Sequence, residues 1–282
     1  VEQKRRRVVV QKTNLMDFPE IVLNNDKSES GKRKYKKTLE KKFGMNLEDK
    51  LEMVRMGVRT VTRGYKTSRL ITGVPGVGKS YSVMDELKAE SESEDSSFDL
   101  VYVTGGLKDA RTFYQFLSEN NDKNKVIVFD DVNTILKDKE CVEILRCACE
   151  NETQRVITFS DNVLAKNKRH KEKLKFHSKI IIITNIPARK LDDAIVSRTS
   201  PIDITASIEE IFSYVADRAK VAPPRKVGVH HKHDVLNFIK HEVGFENVQR
   251  FDFRVFEDAC LWRAATDAEK EWKSYIYNLV VK

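Results

Sequence analysis

The sequence predicts an α/β fold: a five-stranded parallel sheet flanked by helices and followed by a small, all-helical C-terminal part. Three observations carry this. A glycine-rich stretch, Gly73-Val74-Pro75-Gly76-Val77-Gly78-Lys79-Ser80, sits between a short apolar run and a segment of helical periodicity. Apolar runs of strand length then alternate with helical patterns as far as Ile204, which is how a parallel sheet with helices on both sides is written. Beyond Ala222-Pro223-Pro224 only helical spacing remains.

Taken in order, residues 1–45 read as a basic, weakly structured segment, with Arg5-Arg6-Arg7, Lys32-Arg33-Lys34 and Lys36-Lys37. Leu47, Leu51, Val54, Val58 and Val61 then recur at helical spacing, in a helix that ends near Gly64. Leu70-Ile71 is the first core strand, and Tyr81 to Lys88 the helix after the glycine-rich loop. The acidic stretch Ser91 to Ser97 is a surface connection. Leu100 to Val103 is a strand, Gly105-Gly106 a turn and Ala110 to Leu117 a helix. Val126 to Phe129 is the next strand, before a helix with Cys141, Ile144, Leu145 and Ala148 on one face. Arg155 to Phe159 reads as a short strand, Ile180 to Ile183 as the fourth core strand and Ile202 to Ile204 as an outer fifth. Ser207-Ile208-Glu209-Glu210 has capping-box spacing and starts a helix. Three more helical patterns follow: Asp234 to Lys240, one from Asp252, and one with Trp272, Ile276 and Leu279. The division expected is 1–45, a core at 46–220 and a helical lid at 221–282.

Composition narrows the class. A chain of 282 residues, 40% of them hydrophobic, can bury a core. No apolar run is long enough to cross a membrane, and no charged-then-apolar leader opens the chain, so a cytoplasmic protein is expected. Cys141, Cys147, Cys149 and Cys260 lack metal-ligand spacing and read as free thiols. His230, His231 and His233 read as part of an exposed linker rather than a metal site. The net charge of +8 lies ahead of the glycine-rich loop, with the remainder close to balanced. Such a flank suits a polyanion, and a solvated tail equally.

The loop carries the chemistry. It matches G-x-x-x-x-G-K-[ST] at every fixed position, and its N–H groups and the following helix N-terminus would cradle phosphates. Lys79 would reach the β- and γ-phosphates and Ser80 would hold Mg²⁺, with Tyr81 ending the nucleotide-contacting stretch. Val126-Ile127-Val128-Phe129-Asp130-Asp131 is a strand ending in two carboxylates. In a nucleotide hydrolase the first holds the magnesium shell and the second can orient and deprotonate the attacking water. Ile180 to Ile183 runs into Thr184-Asn185. Inserted between the first and third core strands, it would set Asn185 beside the γ-phosphate. Arg198, in Ala194-Ile195-Val196-Ser197-Arg198, ends a helix too far along the chain to face its own nucleotide easily.

In this order the motifs resemble an AAA+ ATPase over about residues 47–282, and the wording of the FDD, ITN and AIVSR segments is similar to AAA+ proteins of tailed phages. For a phage protein the compartment would be the host cytoplasm. The resemblance implies an ATP- and Mg²⁺-dependent ATPase working as a homo-oligomeric ring, a hexamer, with Arg198 as a finger serving the neighbour. It also implies a sensing arginine on the lid, for which Arg254 is the best match and Arg250 the rival. The family's usual Asp-Glu is here Asp130-Asp131, one methylene shorter, a pair also found in superfamily 3 helicases. Gly105 to Lys108 and the basic insertion Lys166 to Lys175 are candidate substrate-gripping loops, the latter at a place where DNA-translocating branches often carry a hairpin. The insertion reads equally as a solvated lysine-rich loop. Trp272, Tyr275 and Tyr277 read as lid packing rather than a base-stacking surface. DNA is the expected substrate. A protein client, or an ATP-gated assembly switch with slow turnover, are the alternatives.

Overall fold

A computed structural model describes residues 44–93, 97–152, 154–160 and 171–281. Nearly all of the expected basic N-terminal segment, and positions 166–170 of the basic insertion, lie outside these.

Helix α1 (Leu47–Thr62) opens the described chain behind a capping box in which Asn46 and Asp49 satisfy each other's backbone N–H. Strand β1 (Ser68–Gly73) leads through the glycine-rich loop into α2 (Lys79–Ser91). Then come β2 (Asp99–Thr104), α3 (Ala110–Glu119), β3 (Lys125–Asp130), and helices α4 (Thr134–Lys137) and α5 (Lys139–Ala148). Strands β4 (Arg155–Ser160) and β5 (Lys171–Phe176) precede β6 (Lys179–Ile183), α6 (Asp193–Thr199) and β7 (Ile202–Ile204). The rest is helical: α7 (Ile208–Asp217), α8 (Val229–Asn237), α9 (Phe253–Ala265) and α10 (Glu269–Val281).

The main sheet is parallel, in the order β2-β3-β6-β1-β7. Strand β6 thus inserts between β1 and β3, as expected, and β7 is the outer strand beside β1. Both faces of the inner strands are covered. Val126, Val128, Ile181 and Ile183 point into one apolar layer with α1, α2 and the C-terminal helices. Ile127, Phe129, Ile180 and Ile182 point into the other with α3 and α5. Strict alternation between two dry layers explains why these strands read as continuous apolar runs. Two ion pairs fasten α1 to α2, Arg59 to Glu86 at 2.5 Å and Arg63 to Glu90 at 2.9 Å.

Two elements differ from the sequence reading. The basic insertion is partly a strand: β5 pairs antiparallel with β4, from Arg155 opposite Phe176 to Ser160 opposite Lys171. Leu174 and Phe176 pack inward while Lys173 and Lys175 are exposed. The three histidines, expected in a linker, lie on α8, which begins at Val229 rather than Asp234. Its anchor is Lys232, 1% exposed, whose ammonium donates to the Ala222 carbonyl at 2.5 Å and ties the helix to the preceding segment. Trp272 is buried, whereas Tyr275 stacks on Trp262 at 3.9 Å and Tyr277 is exposed.

Candidate nucleotide site

The loop after β1 crosses the ends of the parallel strands, where open α/β sheets collect ligands. It borders a cavity of about 370 Å³ lined by Pro75, Gly76, Gly78, Lys79, Ser80 and Tyr81 of the loop and helix, by Asp130, Asp131 and Asn185 from the strand ends, and by residues of the C-terminal part.

Two of the glycines are required by what lies behind them. Gly76 and Gly78 have φ of 76° and 87°, in the left-handed region that side chains disfavour. A Cβ on Gly76 would stand 2.5 Å from the Asp252 carboxyl carbon, and one on Gly78 2.8 Å from the Phe253 ring. The start of α9 is seated on the loop there, with the Phe253 N–H donating to the Gly76 carbonyl at 3.0 Å. Asp252 caps that helix through the N–H groups of Arg254 and Val255, each at 2.9 Å.

Lys79 is 6% exposed. Its ammonium donates to the carbonyls of Gly73 at 2.9 Å and Val74 at 2.7 Å, and to Asn185 Oδ1 at 2.8 Å. All three acceptors are neutral. Burial pulls its pKa down to about 8, against the attraction of Asp131 and Asp130 and with the help of the Arg254 charge. A buried cation held only by neutral groups is stabilised by an anion entering beside it. The amide of Asn185 joins this lysine to Asp131, donating through Nδ2 to the Asp131 carboxylate at 3.0 Å. Lysine, asparagine and aspartate from three separate elements therefore form one hydrogen-bonded row. Asp131 itself has φ of 54°, unusual without glycine, and its N–H is bonded to the Ile183 carbonyl at 3.0 Å.

Asp130 lines the cavity and accepts a hydrogen bond from the Tyr102 hydroxyl, a contact the sequence reading missed. Burial, and then the bond to Asp130, raise that phenol's pKa above its ordinary value, so it remains a donor. No group of three or more His, Cys, Asp or Glu able to hold a metal occurs among the described residues. The Ser80 hydroxyl and the Asp130 carboxylate nevertheless share the cavity, and they are the hard oxygen donors that Mg²⁺ prefers when phosphates supply further ligands.

At the other end the lining is Leu51, Arg55, Tyr214, Val215, Arg218, Val221, Ala222 and Pro223. The Arg218 guanidinium lies 4.3 Å from the Tyr214 ring centroid and pairs with Glu48. Tyr214 also stacks on Phe253, centroids 5.5 Å apart. None of these was singled out in the sequence as a site residue. Their only local signal is helical spacing, which cannot tell a cavity wall from a core.

The remaining sequence candidates divide. Arg254 lines the cavity, whereas Arg250 is exposed and stands 3.7 Å from Asp252. Val77 is wholly buried beneath the loop and Val74 is exposed on it. Arg198 is not part of the cavity wall. It donates to Glu150 Oε2 at 2.8 Å and to the Ala194 carbonyl at 3.0 Å. In the Gly105 to Lys108 turn, Leu107 is buried and only the glycines and Lys108 are exposed.

Among known proteins, residues 69–208 match the family model described as AAA, the ATPase family associated with various cellular activities. No curated protein sequence matches significantly. Among solved structures the fold is similar to domain III of the replication initiation protein DnaA from Thermotoga maritima, at 14% identity and a TM-score of 0.51, over 82% of this chain and 92% of that one. A RuvB variant from the same organism aligns at 14% identity and TM-score 0.48, over 83% and 72% of the two chains. Cdc6p from Pyrobaculum aerophilum aligns at 14% and 0.48, over 80% and 63%. With the sheet order, the loop and the family match in agreement, residues 69–208 form a domain of the AAA family of P-loop ATPases.

Proposed function

We propose that the protein is a Mg²⁺-dependent ATPase that works as a ring of identical subunits, a hexamer in the family's manner, and acts on DNA. The observation that carries the hydrolytic part is the row Lys79, Asn185, Asp131 along one wall of the cavity. Lys79 would exchange its neutral acceptors for the β- and γ-phosphates. Asn185 and Asp131 would then hold a water molecule, with Asp131 as the base that takes its proton. Ser80 and Asp130 would hold the magnesium ion, whose charge offsets that building up on the phosphates. Gly73 to Tyr81 would surround the phosphate chain, Arg254 would reach it from the C-terminal lid, and the wall around Tyr214, Arg218 and Val221 would receive the base and ribose.

The ring is supported by the place of Arg198, outside the cavity and at the end of a short helix. In a ring it would complete the neighbour's site, where such an arginine is worth roughly 10³–10⁵ in rate. The DNA reading is supported by the β4–β5 hairpin ahead of β6, with Lys173 and Lys175 exposed on one face, and by the use of the same fold in a protein named for replication initiation. It fits the likeness to phage proteins and superfamily 3 helicases, and with it a place in the host cytoplasm.

The test is ATP turnover with and without single- and double-stranded DNA at rising salt. We expect stimulation that falls steeply with salt and is lost in a Lys173→Glu/Lys175→Glu variant. Turnover indifferent to DNA, with no binding at low salt, would turn the reading toward a protein client. Tight ATP binding with near-zero turnover would turn it toward an assembly switch.

A further inference from the structure

Strand β2 is an edge of the main sheet, and on the face whose inner part holds the buried Val126 and Val128 its own residues are poorly covered. On that face Leu100 and Tyr102 are each 40% exposed, whereas Val101 and Val103 pack against the opposite layer. The parallel register sets Tyr102 beside Val128 and Thr104 beside Asp130. Residues two apart on a strand share a face, so the Tyr102 ring runs along the sheet toward the carboxylate at the end of β3. Its hydroxyl donates to Asp130 Oδ2. Tyr102 does not line the cavity, and Asp130 does. The tyrosine therefore reaches the site from the sheet's outer edge, through one carboxylate oxygen.

A carboxylate has about four lone-pair sites. The phenol takes one on Oδ2, which limits rotation of the group and leaves Oδ1 for the cavity. We propose that Tyr102 is a positioning residue for divalent-cation binding, fixing the Asp130 carboxylate so that its other oxygen faces the metal. This rests on the reading of Asp130 as part of the magnesium shell. Partners of this kind, one step out from a metal ligand, change metal affinity or activity about 10- to 100-fold when removed. Aspartate's single methylene leaves the carboxylate free to turn, and no other hydrogen bond to the Asp130 carboxylate occurs among the described residues.

The experiment uses the full chain and needs no turnover. Binding of a fluorescent ATP analogue is followed by anisotropy across a Mg²⁺ titration, from chelator alone to millimolar metal, for the parent, Tyr102→Phe and Asp130→Asn. Tyr102→Phe keeps the ring and removes only the donor, and a thermal melt confirms that it folds. We expect its metal-free affinity to match the parent, and the Mg²⁺ concentration for half-maximal enhancement to rise about tenfold. Asp130→Asn should lose most of the enhancement. If Tyr102→Phe shifts the Mg²⁺ midpoint less than twofold while Asp130→Asn loses the enhancement, Tyr102 does not position Asp130. If Tyr102→Phe weakens metal-free binding to the same degree as metal-bound binding, it acts on the loop or the fold, and the proposal is overturned. If Asp130→Asn keeps the full enhancement, Asp130 is not in the metal shell and the route assigned to Tyr102 goes with it.

Discussion

The buried state of Lys79 sets a pH dependence that can be worked out before any nucleotide is added. Its pKa in the ligand-free protein is about 8, below the ordinary lysine value, because burial disfavours the charged form. With that value about 90% of molecules carry the charge at pH 7 and about 3% at pH 9.5. A polyanion selects the protonated lysine, so binding above pH 8 includes uptake of a proton. Affinity for ATP should weaken about tenfold for each pH unit above 8, a loss of roughly 30-fold, or about 2 kcal/mol, between pH 7 and 9.5. The assay is equilibrium binding of a fluorescent ATP analogue in chelator, which removes magnesium from the comparison. Working above pH 7.5 avoids the second ionisation of phosphate, near pH 6. Unfolding does not produce the same curve through this group. The native state binds fewer protons at Lys79 than the unfolded chain between about pH 8 and 10.5, so this contribution favours the fold more as pH rises. Lys79→Ala should bind weakly at every pH with the steep segment gone. A parent profile flat from pH 7.5 to 9.5, with circular dichroism unchanged, would show that Lys79 is not the buried cation that receives the phosphates.

Asn185→Ala removes one of the three acceptors of Lys79 and the donor to Asp131. ATP affinity should change less than threefold and turnover should fall roughly 10²-fold, so equal losses in both would make Asn185 a binding residue only. Arg198→Ala should bind ATP normally and hydrolyse it about 10³-fold more slowly. Mixed with Asp131→Asn it should recover part of the rate, and a mixture no faster than its components would exclude a role across the subunit boundary. Asp131→Gly relieves a left-handed backbone, a strain of about 1 kcal/mol or more. It should raise the thermal midpoint by a few degrees while abolishing turnover, and a lowered midpoint would mean that the carboxylate itself supports the fold.

The parts of the site legible in the sequence are those whose signal is local. The glycine loop, the paired carboxylates after Phe129 and the asparagine after Ile183 each follow an apolar strand directly, and parallel strands bring such ends together. The contacts that Tyr102, Arg218 and Phe253 make at the site are not legible in the sequence, because each is made across a strand or from a distant helix, where no spacing announces it. The hairpin was half visible: Leu174 and Phe176 alternate as a strand does, but the lysines between them read as a charged loop. The helix at the histidines was obscured by Pro223-Pro224 upstream and by Lys232, a charged residue that turned out to be an interior anchor. The left-handed backbone of Asp131 has no sequence signature, since it is fixed by the bond from its N–H to Ile183 on the neighbouring strand.

Arg254 shows how the two kinds of information join. A basic residue at the start of a C-terminal helix is a weak pattern, and Arg250 fits it nearly as well. What separates them is the seating of α9 on the loop. The bond from the Phe253 N–H to the Gly76 carbonyl fixes the helix start against the backbone of the glycine-rich loop, and Asp252 caps the same turn. Phe253 closes the joint by packing on Gly78 from one side and stacking on Tyr214 from the other. The next residue, Arg254, therefore has its backbone held relative to the loop, while Arg250 precedes the cap and points to solvent. The same joint explains why both glycines must lack side chains: at each, the volume of a Cβ is already filled by α9. The glycine-rich loop and the start of α9 are thus joined by a backbone hydrogen bond and by side-chain packing at the two glycines.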